Sequence, residues 1–97
     1  MLDFYIISDS ANEPGTQGHE QLEYAGGIEF EVYERIIKKG IIDSRYDYFS
    51  DFRWNIQYLQ TLKESLKNHI LDSDISPLKQ LIEKALEKNC GLIAYGD

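Results

Sequence analysis

A chain of 97 residues with 42% hydrophobic and 12% aromatic content fits one domain and carries enough apolar material for one modest core, which excludes an intrinsically disordered chain. The formal net charge of −7 is unevenly placed: residues 1–34 hold eight acids and no Lys or Arg, while the remainder holds nine acids against ten bases. A negative field of that kind repels phosphate backbones and anionic lipid, so nucleic acid and membrane surfaces are excluded as partners.

In chain order, Leu2 to Ser8 (LDFYIIS) is rich in aromatic and β-branched residues and reads as a buried strand. Asp9 to Gln21, with Pro14-Gly15 and Gly18, is a long polar loop. Leu22 to Ile28 alternates Leu22, Tyr24 and Gly26 and predicts a short strand, with Gly26-Gly27 as a bulge or a point of close approach. A helix follows over about Glu29–Lys39. Phe30, Tyr33, Ile36, Ile37 and Ile41 supply its apolar spacing, acids its first turns, bases its last, and Gly40 its C-terminal cap.

Asp43 to Arg53 has no clean period and reads as an ordered connection, with room for an extra short strand near Tyr48 to Trp54. A second helix runs from Trp54-Asn55 to about Asn68, with the stripe Ile56, Leu59, Leu62, Leu66 and Ile70 and Asn55 or Asp51 as its N-cap. Ser76-Pro77 predicts the start of a third helix, capped by Ser76 and buried through Leu78, Leu81, Ile82, Ala85 and Leu86. Asn89 and Gly91 end it, and Leu92 to Tyr95 closes the chain as a strand. The expected fold is therefore α+β over residues 1–97. A small sheet of three to four strands (order β-β-α-α-α-β) has its first and last strands adjacent and three helices packed on one face.

Motifs for chemistry fail on specific residues. The Pro14–His19 loop has glycines but no Lys-Ser/Thr of a P-loop, and Glu29 and Glu31 occupy the helix end that a phosphate would need. Asp72-x-Asp74-x-Ser76-Pro77 with Glu83 resembles a calcium loop, except that Pro77 stands where the sharp turn requires Gly. His19 and His69 have no ligand neighbour at metal spacing, and no nucleophile elbow marks a serine. Cys90, the lone cysteine, reads as a small buried hydrophobe and allows no intrachain disulfide. No metal, cofactor or catalytic residue is assigned, and the balance is against an enzyme. The absence of bases before the N-terminal apolar run and of any apolar stretch near ~20 residues leaves a cytoplasmic location as the expectation.

What remains is charge and aromatics. Tyr46 to Tyr58 holds Tyr46, Tyr48, Phe49, Phe52, Trp54 and Tyr58 among Asp47, Asp51 and Arg53. Phe49, Phe52 and Trp54 are assigned to the core, and the tyrosines can serve either core or surface. The leading reading is a small acidic module that binds a basic protein through Glu13, Glu20, Glu23, Glu29, Glu31, Tyr46 and Tyr48, with an inhibitor or immunity-type protein as one instance. Two alternatives stand beside it. One is a small-ligand or catalytic domain with a pocket under the 9–21 loop near His19, Glu20 and Tyr24. The other is a homodimer built on a sheet edge.

Overall fold

The computed structural model describes residues 1–9 and 22–96. Strands β1 (Leu2–Ile7), β2 (Glu23–Ile28), β3 (Phe52–Trp54) and β4 (Gly91–Tyr95) form an antiparallel sheet of order β2-β1-β4-β3. Helices α1 (Phe30–Lys38), α2 (Ile56–Leu66) and α3 (Ser76–Glu87) complete the α+β fold. The first and last strands are adjacent as the sequence predicts, and the extra strand falls inside the expected window. No helix among the described residues is long and apolar enough to cross a membrane.

Alternation sorts the central strand. Leu2, Phe4 and Ile6 enter the core, where they meet Leu92 and Ala94 of β4 and Trp54 of β3. Helices add Tyr33 and Ile36 from α1, Leu59 and Leu62 from α2, and Leu78 and Ile82 from α3. Asp3, Tyr5 and Tyr95 lie on the opposite face. Between Phe4 and Tyr5 the register of β2 slips, so Ala25 is the extra residue of a bulge. Gly26 beside it takes φ +149°, and a Cβ there would come within 3.1 Å of Leu81 on α3. Lys84 of α3 donates to the Ala25 carbonyl at 2.9 Å, which fixes the helix over the bulge.

The helix ends follow local rules. α1 closes as a Schellman motif: Gly40 N–H donates to Ile37 O at 2.9 Å and Ile41 N–H to Ile36 O at 3.4 Å. α3 closes the same way, with Asn89 at φ 56° taking the left-handed position. Asn55 caps α2 by accepting from Tyr58 N–H at 2.8 Å. Two expectations are corrected. Ser76 does not cap α3; it is the first helical residue, and Asp72 instead caps the 3-10 turn Ser73–Ile75 that leads in. α2 stops at Leu66 and passes into a 3-10 turn, Lys67–His69, so Ile70 leaves the apolar stripe and is 77% exposed.

Candidate functional site

The connection from Asp43 to Asp51 is held by its own acids. Asp43 Oδ1 accepts from Arg45 N–H at 2.9 Å, and Asp47 Oδ1 accepts from Phe49 N–H at 2.8 Å. Each is a side-chain turn in which a short carboxylate takes the place of a backbone acceptor. Asp51 Oδ1 receives Gly96 N–H at 3.0 Å, which joins the connection to the end of β4. From α1, the buried Tyr33 hydroxyl donates to Tyr46 O at 2.6 Å. Burial raises the Tyr33 phenol well above its ordinary pKa, so the group remains a neutral donor.

This scaffold turns one ring outward. Phe49 is 61% exposed and Phe30, at the start of α1, is 43% exposed; their centroids are 5.8 Å apart. Tyr48 packs edge-on beneath both, 5.1 Å from Phe30 and 5.0 Å from Phe49, and is itself buried. Phe49 thus departs from its assignment to the core, whereas Trp54 is buried and Phe52 half-buried. Glu29 and Glu31 are next in sequence to Phe30, and Glu34 lies one helical turn on, on the same face of the helix. Asp47 and Asp51 belong to the connection that carries Phe49, with their carboxylates bonded to Phe49 N–H and Gly96 N–H. The result is an exposed aromatic centre whose neighbours along the chain form an acidic rim in sequence.

The acids of the N-terminal third do not all gather there. Ile28, before Glu29, pairs with Leu2, whereas Glu23 pairs with Ile6 and Asp9 follows Ile7. The two groups are therefore separated by the length of β1, about 15–20 Å at 3.3 Å per residue. Glu23 accepts from Lys88, and Asp9 receives Ile56 N–H with both carboxylate oxygens at 3.2 Å. Asp3, on the sheet face away from the helices, accepts from the Tyr24 hydroxyl at 3.1 Å. Of the residues proposed from sequence, Glu29 and Glu31 flank Phe30 along the chain, and Glu23 lies at the far end of β1. Tyr48 lies under it, and Tyr46 is half-buried against Trp54 and Tyr58. Glu13, Glu20 and His19 lie outside the described residues.

Two clefts are lined by residues other than Phe30 and Phe49. One, of about 650 Å³, is lined by Asp9, Arg53, Asn55 and Tyr58 among others. Its charged groups are bonded to backbone: Arg53 donates to Ser8 O at 2.7 Å, and Asp9 holds the start of α2. The other, of about 500 Å³, lies between the end of α2 and the start of α3. Among the described residues no three His, Cys, Asp or Glu side chains come together as a metal site. Comparison with protein-family models, with curated proteins and with solved structures finds no match for this chain.

Proposed function

We propose that this chain is a protein-binding module that captures a basic partner through the Phe30–Phe49 centre and its acidic rim. The observation that carries the reading is the pair of exposed rings set on a bonded scaffold, with five acids close to them along the chain. Exposed rings accept the faces of arginine guanidinium groups, and a rim of one charge sign steers a partner of the other and raises its association rate. Aromatic anchors ringed by polar groups are also the residue arrangement of binding hot spots. An inhibitor or immunity-type protein that covers the phosphate-binding surface of a basic nuclease or toxin is one instance of such a module. Size and charge suggest that instance; fold alone does not assign it.

The test is affinity capture from the native cell at low and high salt with three baits: the unaltered chain, Phe49→Ala, and Glu29→Lys with Glu31→Lys. A basic partner retained by the unaltered chain at low salt, released at high salt and lost with both variants is the expected result. Capture that is indifferent to salt and to both variants overturns the proposal.

A further inference from the structure

The second cleft carries chemistry opposite to the molecule as a whole. Its walls are Leu66, Ile70, Leu71, Ile75 and Ile82, and its rim holds Lys63, Lys67 and Lys79. Ile70 and Leu71 are 77% and 97% exposed, far more than large apolar side chains need to be in a chain that can bury them. Two carboxylates also line the cleft, Asp72 and Glu83. Asp72 is already bonded to Lys39 of α1, and its neighbour Asp74 to Arg35 at 2.9 Å and to Lys39 at 3.0 Å. Lys67 pairs with Glu64 on the outer surface of α2, where both side chains are largely exposed and an incoming anion can replace the pair. The start of α3, at Ser76, adds the partial positive charge of a helix N-terminus. A chain with a net charge of −7 thus has an apolar cleft with a cationic rim.

We infer that this cleft binds a single-chain amphiphile with an anionic head, of the medium-chain fatty-acid class. The alkyl chain covers Ile70 and Leu71 and lies against Leu66, Ile75 and Ile82, and the head group meets the three lysines. A volume of about 500 Å³ falls within the roughly 300–1,000 Å³ of small-ligand sites. A stable protein partner needs a buried area of about 1,000 Å² or more.

The probe is dodecanoate, titrated into the isotopically labelled full chain below its micelle concentration and followed by amide NMR shifts. Saturable one-to-one binding with shifts at Ile70, Leu71 and Ile82 is expected. Dodecyltrimethylammonium, with the same chain and a cationic head, binds about tenfold more weakly or worse. Lys63→Glu, Lys67→Glu and Lys79→Glu combined weaken dodecanoate by a similar factor. Leu71→Ser, at a side chain too exposed to affect folding, weakens it several-fold. Equal binding of the two amphiphiles, shifts that never saturate, or shifts centred on Phe30 and Phe49 overturn the inference. So does an acidic amphipathic peptide that occupies the cleft when dodecanoate does not.

Discussion

Replacing Tyr33 with Phe removes one oxygen and tests what positions the aromatic centre. The ring is fully buried and stays in place, stacked 6.5 Å from Phe52 at 21°, so no cavity opens. What is lost is the 2.6 Å bond to Tyr46 O, which spans 13 residues of chain. The other bonds described for the connection are local, made to Asp43 and Asp47 by Arg45, Tyr46, Phe49 and Ser50, except that Asp51 at its end accepts from Gly96 N–H. A half-buried carbonyl left without its donor costs about 1–2 kcal/mol. For a domain of this size each kcal/mol moves Tm by about 4–8 °C, so a fall of about 4–16 °C is expected by circular dichroism. Amide exchange should quicken at Tyr46, Tyr48 and Phe49, while α3 keeps its protection. Phe49→Ala is the control: the ring is exposed, and its removal should change stability by no more than about 0.5 kcal/mol. An unchanged Tm and unchanged exchange in Tyr33→Phe would show that the two side-chain turns and the Asp51–Gly96 bond suffice, and the argument for a scaffold reaching from α1 would be refuted.

A Cβ at Gly91 would lie 2.4 Å from Trp54 O and 3.0 Å from Asp9 Oδ1, so Gly91→Ala should lower stability by about 2 kcal/mol or more in chemical denaturation. At alkaline pH the Tyr33 phenol, raised by burial, is protonated in the folded chain after the unfolded chain has begun to ionise. Its stabilisation is complete below the ordinary tyrosine pKa of about 10 and declines as pH rises above it, so Tyr33→Phe should flatten the alkaline limb of a stability–pH curve. At acid pH the sign reverses. Arg35 and then Lys39 lower Asp74 to about 2, and Lys39 lowers Asp72. Their contribution is full above the unfolded carboxylate value of about 4 and is lost as pH falls toward about 2, and Asp74→Asn should remove that acid-sensitive component in a denaturant titration at stepped pH.

Local rules exposed most of the architecture before any coordinates. α1 has apolar spacing, acids first, bases last and a glycine where the Schellman turn needs one, so every level points the same way. α3 was legible from Pro77 and its apolar face, but its cap was not: Ser76 has the right chemistry, and the 3-10 turn capped by Asp72 puts it inside the helix. Phe49 was misplaced because a connection without periodicity gives no information about which way a ring faces. Its direction depends on Asp47 and on Tyr33, a residue in another element. Ile70 was misplaced for the opposite reason. It continues the spacing of α2 past the point where the helix stops, so a real pattern extends into a turn that does not use it. The adjacent apolar pair Ile70-Leu71 just before Asp72 is the sequence feature that marks the cleft, and assigning Ile70 to the helix stripe conceals it.

The two surfaces have a common cause in α1. Its nine residues span about 13 Å, and the dipole rule that places acids at its start and bases at its end also decides which charges are available at either side. Phe30 begins the helix beside Phe49 with Glu29 and Glu31 next to it in sequence; Arg35 feels the charge of Glu31 but forms its ion pair with Asp74. At the other end Arg35 binds Asp74, and Lys39 binds Asp74 and Asp72, one of the two acids that line the cleft. The ion pairs themselves are exposed, and such pairs contribute little to stability. Their larger effect is on the field: Asp72, which lines the cleft, has a cationic partner on the α1 side, and among the charged residues of the cleft Lys63, Lys67 and Lys79 outnumber Asp72 and Glu83. A helix of ordinary charge order thereby divides a net-acidic molecule into an acidic aromatic surface and a basic apolar cleft.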